Sequence, residues 1–451
     1  MRDDSRPEPG DGAPPPRRGV FYGWTVVGVV SVLSFAGGAE TNPVLGIFLN
    51  PMTDEFAWSR AAFTLPMSIG TFAGGLAAVF TGPLIDRYGG RGIMTFAVAL
   101  MGLIFVGMGL LEAYWQYFAL QFMGRMLLAS TFFIIIGVIV PKWFIAKRAR
   151  AIGVSALGQR LGLAAFPVLI ERVMAFSNWR TATIALGVTV WATALLPAVL
   201  LRRRPEDMGQ LPDGARRDLR AMDAGRERVI PATDEVSFSR GEALRTPAFY
   251  LLLGALSAQL FVDTGISFHW FSYLTGNGVS RGVTIVSLAI APLVGMPASV
   301  IAGFVAEKVA PLLMLAIASL MMALSVAILL IADSAVLAIV FGLAYGSAAG
   351  IHITNSEVIW ADFFGRGSIG GIRGIVAPAL MLANALGPLA AALSFDITGG
   401  YGAIFSGGIV VLVASAALAA LARKPVQASQ QSSGRGGLGA AVSRTTHDET
   451  R

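Results

Sequence analysis

Long segments with almost no charged side chains recur along most of the chain. Residues 92–111, for example, read GIMTFAVALMGLIFVGMGLL and contain neither an acid nor a base. A helix of about 20 such residues crosses the roughly 30 Å hydrocarbon core of a bilayer. Charged residues make up only 14% of the chain, whereas soluble domains carry about 25%. The pattern predicts an all-α membrane protein that sits in the lipid bilayer.

The uncharged segments number twelve and fall into two sets of six, which predicts two six-helix bundles. The predicted helices lie at 22–50, 60–84, 92–111, 114–140, 149–175, 181–201, 247–275, 282–305, 310–332, 335–360, 369–395 and 400–422. The predicted domains are a disordered tail (1–21), an N-terminal bundle (22–202), a polar interdomain loop (203–244), a C-terminal bundle (245–422) and a second disordered tail (423–451). The first tail is rich in proline and lacks the apolar core of a cleavable signal peptide.

The placement of lysine and arginine predicts the orientation of the helices. Cytoplasmic loops of membrane proteins carry an excess of these residues. The chain has 34 lysine and arginine residues. If the N-terminus is cytoplasmic, only four of them lie on outside loops, namely Arg60, Arg172, Arg180 and Arg281. Three more lie within predicted helices, and all others are cytoplasmic. We therefore expect both termini in the cytoplasm and the protein in the cytoplasmic (inner) membrane.

Composition argues against several function classes. The chain has no cysteine and three histidines, which disfavours disulfides and thiolate or histidine metal sites. No Walker motif and no catalytic triad pattern occurs, so we expect neither ATP use nor enzymatic activity, and no cofactor. The net charge of +7 follows the predicted topology and does not indicate nucleic-acid binding. We expect a monomer.

A charged motif separates the second and third predicted helices. It reads GPLIDRYGGR and places charges and glycines at Gly82, Asp86, Arg87, Gly89 and Arg91. This resembles the signature loop G-x-x-x-D-R-x-G-x-R of the major facilitator superfamily, and the similarity extends over about residues 21–424. In that superfamily the motif acts as a conformational latch between two halves, so the resemblance implies this role here. The alternative is a solvated turn that merely obeys the charge rule.

Further stretches resemble one branch of the superfamily. FYGW (21–24), WFIAKRARAIGVSALG (143–158) and RGEALRTPAFYLLL (240–253) are similar to helix starts in the oxalate–formate and monocarboxylate transporters. The resemblance implies transport of small organic anions, with a proton or in exchange for another anion. The chain departs from that branch where a cation is usual: Ser299 stands in the eighth predicted helix and Val376 in the eleventh. An oxalate-like dicarboxylate held between two cations is therefore disfavoured.

Three arginines lie inside predicted helices, where a charge costs several kcal/mol unless it meets water, a partner or a ligand. Arg160 lies near the middle of the fifth helix, in the run LGQRLGLAAF, with no acid near it in sequence. We predict that it binds the substrate anion; the alternative is an ion pair with Glu40 of the first helix. Arg125 and Arg373 are further candidates for substrate contact, or else structural partners of acids and carbonyl groups.

Other polar residues within predicted helices complete the candidate site. Asp263 is spaced with Gln259 and Ser267 along one face of the seventh helix and is the leading candidate for proton coupling; Glu40 is the second. Asn384 shares a helix face with Arg373, and His352 and Tyr345 lie on the tenth helix. Asp263 and His352 can equally be hydrogen-bonded packing residues.

These features predict a secondary transporter of a small organic anion, with a monocarboxylate as the expected substrate class, that works by alternating access with proton symport or anion exchange. The alternative is a proton-driven exporter of amphipathic or drug-like compounds. The glycine-proline pattern usual in the fifth helix of such exporters is absent here, because Leu163 follows Gly162. A sensor built on the same scaffold is a third, less favoured interpretation.

Overall fold

The computed structural model describes residues 21–144, 147–210, 213, 238–306, 308–365 and 369–425. The first half of the chain folds into ten α-helical pieces. They are α1 (Gly23–Gly37), α2 (Asn42–Leu45), α3 (Leu49–Phe56), α4 (Arg60–Tyr88), α5 (Gly90–Gly109), α6 (Tyr114–Leu127), α7 (Phe133–Trp143), α8 (Arg148–Phe176), α9 (Trp179–Val190) and α10 (Leu196–Leu200). Single π-helical turns join α6 to α7 (Leu128–Phe132) and α9 to α10 (Trp191–Leu195).

The second half contains one short helix and six long ones. They are α11 (Arg240–Ala243), α12 (Pro247–Gly276), α13 (Arg281–Ala306), α14 (Pro311–Leu330), α15 (Ala335–Phe364), α16 (Ile369–Thr398) and α17 (Gly402–Leu421). Within the described residues, eleven helices are long and apolar enough to cross a membrane. The predicted span at 114–140 corresponds to α6 and α7 with the π-turn Leu128–Phe132 between them, and this segment is not among the eleven counted over the described residues. Most of the predicted loop 203–244 and tails 1–21 and 423–451 lies outside the described residues.

Successive long helices run in opposite directions, so their ends define two faces. Phe21 and Pro425, where description of the chain begins and ends, lie on one face, which we call the termini face. On the far face lie the short loops 57–59, 110–113, 177–178, 277–280, 331–334 and 399–401. Both faces are used below to locate the site.

The first predicted helix is broken rather than continuous. After α1, a 3₁₀ turn covers Gly38–Glu40, and Thr41 adopts an extended backbone with φ −82° and ψ 159°. Pro43 then occupies the first turn of α2. Proline has no N–H, but N–H groups in the first turn make no bond within the helix, so none is lost there. The close approach of α8 accompanies this break, since a Cβ on Gly38 would lie 3.1 Å from the Cα of Gly162. The break exposes backbone carbonyl groups inside the protein, and these need partners.

Two pairs of long helices join the halves of the chain, and the short α2 and the turn Gly46–Phe48 that follows it also pack against α12. Helix α4 packs along α16, and α8 packs along α13. Near the middle of the first pair, a Cβ on Gly75 would lie 2.8 Å from the Met381 side chain, so glycine permits this approach. The remaining helices pack mostly within their own half, which leaves a space between the halves.

The charged motif forms a tighter turn than expected. Helix α4 continues through Arg87 to Tyr88, and α5 begins at Gly90. The single residue Gly89 makes the turn with φ +82°, a conformation that L side chains rarely adopt. The predicted end at 84 was therefore about one helical turn too early, whereas the predicted start at 92 agrees with Gly90 within three residues. Gly82 belongs to α4, Arg87 and Arg91 are exposed, and the side chain of Asp86 is outside the described part of the molecule.

We expect the substitution Asp86→Asn to slow transport while changing substrate affinity by less than about twofold. The residue lies in the last turn of α4 at the termini face, far from the middle of the helices. A latch there affects the barrier between conformations, and a barrier increase of about 1.4 kcal/mol slows turnover tenfold. Initial transport rates and equilibrium binding, measured on the same preparation, separate the two quantities. A large loss of affinity with normal turnover contradicts the latch.

Candidate functional site

A cavity of about 360 Å³ lies between the two halves, near the middle of the long helices. Both halves contribute to its wall. The polar and charged residues that line it are Thr41, Asn42, Thr71, Arg125, Gln159, Arg160, Asp263, Thr264, Ser267, Tyr345 and Asn384. Apolar side chains make up the rest, among them Leu128, Phe133, Leu163, Trp270 and Ile353. The cavity therefore offers a few polar groups in a largely apolar surface, as ligand sites commonly do.

Arg160 projects from α8 into this cavity. It is partly buried, and within the described residues its guanidinium has no hydrogen bond and no ion pair. Gly295 of α13 lies beside it, and a Cβ on that glycine would be 2.7 Å from Nη1. Glycine at 295 thus leaves room for the guanidinium. A partly buried guanidinium that donates no hydrogen bond to the protein needs water or a ligand anion as its acceptor.

Asp263 of α12 lines the same cavity from the other half of the chain. Its Oδ1 accepts a hydrogen bond of 2.6 Å from the hydroxyl of Tyr345 on α15. Trp270 packs edge-on against Tyr345, with 5.1 Å between ring centroids, and fixes the position of that hydroxyl. The carboxylate is close enough to Arg160 for their charges to interact. Arg160 and Asp263 therefore bring a cation and an acid from different halves into the same cavity.

Arg125 of α6 has a different environment, although it also lines the cavity. Its Nη1 donates a 2.6 Å hydrogen bond to the backbone carbonyl of Glu40, and its Nη2 donates to Oδ1 of Asn42. The Glu40 carboxylate is fully buried and accepts a hydrogen bond from Gln121, one turn from Arg125 on the same helix. Arg125 therefore binds the break in the first helix and satisfies a carbonyl that the break exposes.

The alternative ion pair between Arg160 and Glu40 does not form. Glu40 lies 0% exposed beneath the cavity wall, where Gln121 and the Arg125 guanidinium surround it. Glu40 is not among the described residues that line the cavity. In this conformation its carboxyl group therefore does not exchange protons directly with the cavity. The predicted substrate contact of Arg125 also competes with the two bonds that it already donates.

We expect Arg125→Met to destabilise the folded protein by about 3–5 kcal/mol, because it removes the cation beside the buried Glu40 carboxylate, which then keeps only Gln121, and the donor to the Glu40 carbonyl. The double variant Arg125→Met/Glu40→Gln removes the unpaired charge and should recover part of the loss. Thermal unfolding of the detergent-purified protein, followed by size-exclusion profile, measures both. Equal stability of the single variant and the parent would show that Arg125 is not a structural partner.

The other predicted residues are distributed unevenly around the cavity. Asn384 and Tyr345 line it, but His352 and Arg373 are not among its described lining residues. One nitrogen of His352, Nδ1, is buried without a hydrogen-bond partner in the described structure. Gln259, on the predicted stripe with Asp263, instead accepts a 2.8 Å hydrogen bond from Ser319. Of the three residues on this helix face, Gln259 thus makes a packing contact, and Asp263 and Ser267 line the cavity.

The cavity is more open towards the termini face. Phe133, just past the middle of the combined α6–α7 span, and Ile353, just past the middle of α15, line it on the side of that face and are 44% and 48% exposed. Lining residues nearer the far face are buried, including Ser267 and Trp270, which are 7% and 1% exposed. The structure therefore represents a state that faces the termini side.

Sequence reasoning missed several residues that line the cavity. Thr71, Gln159 and Trp270 are uncharged, and nothing in their local sequence separates them from packing residues. Thr41 and Asn42 could have been noticed, because the polar pair precedes Pro43 in an apolar helix and marks the break.

Comparison with known proteins assigns the fold to a family. The sequence profile of the Major Facilitator Superfamily matches residues 25–388 of the chain. The chain belongs to the major facilitator superfamily. It is therefore a multi-pass membrane transporter with the major facilitator fold, as the resemblance of its charged motif predicted.

Two curated relatives are similar to parts of this transporter. The "Oxalate:formate antiporter" of Oxalobacter formigenes is 25% identical over 253 residues, which cover 55% of this chain and 54% of the antiporter. The "Uncharacterized transporter ESBP6" of Saccharomyces cerevisiae is 27% identical over 187 residues, which cover 41% of this chain and 28% of that protein. The matches thus span about half of the first relative and less of the second.

Solved structures show the same fold. A bacterial homologue of the human lysosomal transporter Spinster, inward-facing and unoccupied, superposes with a TM-score of 0.66 at 16% identity over 89% of this chain and 97% of the homologue. Its occupied inward-facing form gives a TM-score of 0.67 at 15% identity, with coverage of 90% and 97%. These similarities concern the fold alone.

Proposed function

We propose that this transporter carries a small organic anion, a monocarboxylate, across the cytoplasmic membrane by alternating access, together with a proton. The observation that carries the proposal is the guanidinium of Arg160, which faces the cavity and makes no hydrogen bond and no ion pair among the described residues. The partial similarity to an oxalate:formate antiporter supports the broader class of small organic anions. Arg160 is the substrate anchor in this proposal and Asp263 the proton carrier.

A carboxylate suits the chemistry of Arg160. The planar guanidinium presents two parallel N–H donors that match the two oxygens of a carboxylate. A single such cation in the cavity favours one carboxylate group, because Arg125 already donates to Glu40 and Asn42. This supports a monocarboxylate over a dicarboxylate.

The balance of charges in the cavity favours proton symport over anion exchange. Arg125 also lines the cavity, but its charge faces the buried Glu40 carboxylate, and with these two counted as a balanced pair the empty cavity holds the Arg160 cation and the Asp263 anion, for a net charge of zero. A substrate anion and a proton together keep it at zero, whereas either alone leaves one unbalanced charge. Closing the cavity removes water, and an unbalanced charge then costs several kcal/mol. Only the empty and the doubly loaded carrier should therefore change conformation rapidly.

The apolar wall favours a second candidate, a proton-driven exporter of amphipathic compounds. Leu128, Phe133, Leu163, Trp270 and Ile353 offer an apolar surface larger than formate or acetate can cover. In such an exporter, Asp263 would bind a cationic substrate and a proton alternately. This candidate leaves Arg160 without a use, and a cation in the cavity opposes cationic substrates.

Transport in proteoliposomes separates these candidates. Purified protein is reconstituted with a trapped pH-sensitive dye, and formate, acetate, pyruvate, benzoate and ethidium are added in turn. Symport predicts that a carboxylate enters with one proton and that an imposed pH gradient drives its accumulation. Anion exchange predicts carboxylate movement only when an anion is trapped inside. Proton-coupled ethidium movement without carboxylate transport would overturn the proposal.

A further inference from the structure

We infer that Arg60, Ser272, His269, Asp396 and Tyr401 form a gate that closes the substrate cavity towards the far face. The inference rests on the proposed alternating-access function but not on the substrate. The five residues come from α4, α12, α16 and the start of α17, and so from both halves of the chain. His269 and Ser272 follow Ser267, which lines the cavity, by less than two turns of α12. The cluster therefore lies between the cavity and the far face.

The carboxylate of Asp396 caps a helix of the opposite half. Its Oδ1 accepts a 2.9 Å hydrogen bond from the backbone N–H of Arg60, and its Oδ2 accepts one of 2.8 Å from the N–H of Ala61. Ser59 caps the next amide, Ala62, at 3.0 Å. The first amides of a helix have no partner within the helix, and an anion there also gains from the helix dipole. Two of these partners are thus supplied from across the interface between the halves.

The side chain of Arg60 crosses the same interface. Its Nη1 donates hydrogen bonds to the hydroxyls of Ser272 and Tyr401, and its Cζ lies 3.7 Å from the centroid of the Phe395 ring. Ser272 in turn donates a 2.8 Å bond to Asn50 in α3. A cation stacked on an aromatic ring and bonded to two hydroxyls is well satisfied. The bonds of Arg60 break if α4 moves away from α12 and α16.

The buried side chain of His269 connects Tyr401 to the backbone of α16. His269 is 0% exposed, and its Nε2 lies 2.9 Å from the carbonyl oxygen of Pro388. A carbonyl accepts only, so Nε2 carries the hydrogen and Nδ1 of the neutral ring accepts from the Tyr401 hydroxyl at 2.8 Å. Tyr401 then presents its oxygen to Arg60. His269 and Pro388 thus position the tyrosine that receives the arginine.

A second contact between the halves at the far face provides a comparison. Arg281 and Glu171 form an ion pair of 3.1 Å, but their side chains are 44% and 23% exposed. Exposed ion pairs contribute little, because water and salt screen them. By contrast, Ser272 and Tyr401 are each only 3% exposed, so the bonds that they make with Arg60 are partly shielded from water, although Asp396 at the outer end of the cluster is exposed. The structure assigns the closing contact to the Arg60 cluster and not to the Arg281 pair.

Accessibility of the cavity from the far face tests the gate. The chain has no cysteine, so Ala349→Cys, at the cavity wall, gives a single reporter without removing native thiols. A membrane-impermeant maleimide is added to right-side-out vesicles, and Ser334→Cys on an exposed far-face loop shows which side is labelled. In the Ala349→Cys background, Asp396→Ala and Arg60→Ala should each raise the labelling rate about tenfold, because each removes charge-assisted bonds from the closed state. The matched control, Glu171→Ala, should change it by less than about twofold.

The result that overturns the gate is labelling of both variants at the parent rate, or equal acceleration by Glu171→Ala. Labelling from the termini face in inverted vesicles should stay fast in all variants that fold. If Asp396→Ala and Arg60→Ala do not fold, Tyr401→Phe decides, since it removes one hydroxyl and retains the ring. It should accelerate labelling about threefold, and an unchanged rate rejects the gate. No substrate enters the experiment, so a wrong substrate class leaves its outcome unaffected.

Discussion

We expect Arg160→Ala to weaken binding of the transported carboxylate more than 100-fold without unfolding the protein. Two charge-assisted hydrogen bonds from the guanidinium are worth roughly 3 kcal/mol, which corresponds to that factor in affinity. Removal of the side chain breaks no hydrogen bond within the described residues, and the nearby Asp263 carboxylate keeps the Tyr345 hydroxyl as its partner. Competition by carboxylates in a counterflow assay measures the affinity, and thermal unfolding measures the fold.

Two further variants give this prediction its controls. Arg160→Lys keeps the charge but loses the paired donors, so it should bind with intermediate affinity. Arg373→Ala removes another arginine from a long helix, but one that is not among the described residues lining the cavity, and should retain affinity within a few-fold. If Arg373→Ala loses as much affinity as Arg160→Ala, the anchor has been misassigned. Recovery of transport in Arg160→Ala/Glu40→Ala would also contradict an anchoring role.

The positions of the helices were predictable because the bilayer imposes them. An apolar segment of about 20 residues has few alternatives to a spanning helix, and most predicted ends agree with the structure within three residues. The exceptions arise where local chemistry extends or breaks a helix. Helix α4 runs on to Tyr88 because Gly89 alone can make the turn, and α1 ends at Gly37 because two glycines and Pro43 allow the chain to unwind.

The roles of the buried arginines were not predictable from local sequence. Arg125 and Arg160 both lie near the middle of apolar segments, and each has a candidate acid in the distant Glu40. What separates them is the break at Thr41, which turns the Glu40 carbonyl towards α6 and gives Arg125 its partner. That geometry depends on how three helices pack. Spacing along one helix, which did bring Asp263 and Ser267 to a common surface, carries no such information.

Sequence analysis did not identify the gate, because its residues lie near helix ends and far apart in the chain. Arg60 and Asp396, for example, are 336 positions apart. Arg60 was counted only as a charge on a loop. One physical signal was present, however. Asp396 lies in the last turn of α16, where the negative end of the helix dipole disfavours an acid. A carboxylate at such a position suggests a partner elsewhere, here the free amides at the start of α4.

We expect Asp263→Asn to abolish proton-driven accumulation of the substrate while exchange of substrate across the membrane persists. The amide can still accept a hydrogen bond from Tyr345, so the cavity should keep its shape, but it cannot bind and release a proton. With a neutral amide in place of the carboxylate, the cavity charge is balanced when the anion is bound to Arg160 and unbalanced when the cavity is empty. The loaded carrier should therefore change conformation, and the empty carrier should not.

This reasoning distinguishes two assays on the same proteoliposomes. Accumulation driven by an imposed pH gradient requires the empty carrier to return, so it should fall to the level of protein-free liposomes in Asp263→Asn. Counterflow requires only the loaded carrier, so it should retain at least about a tenth of the parent rate. Glu171→Gln, which also converts an acid to an amide but at the exposed far-face ion pair, should support both. Accumulation that survives in Asp263→Asn would show that the proton travels on another group, and the balance of charge between Arg160 and Asp263 would then not control closure of the cavity.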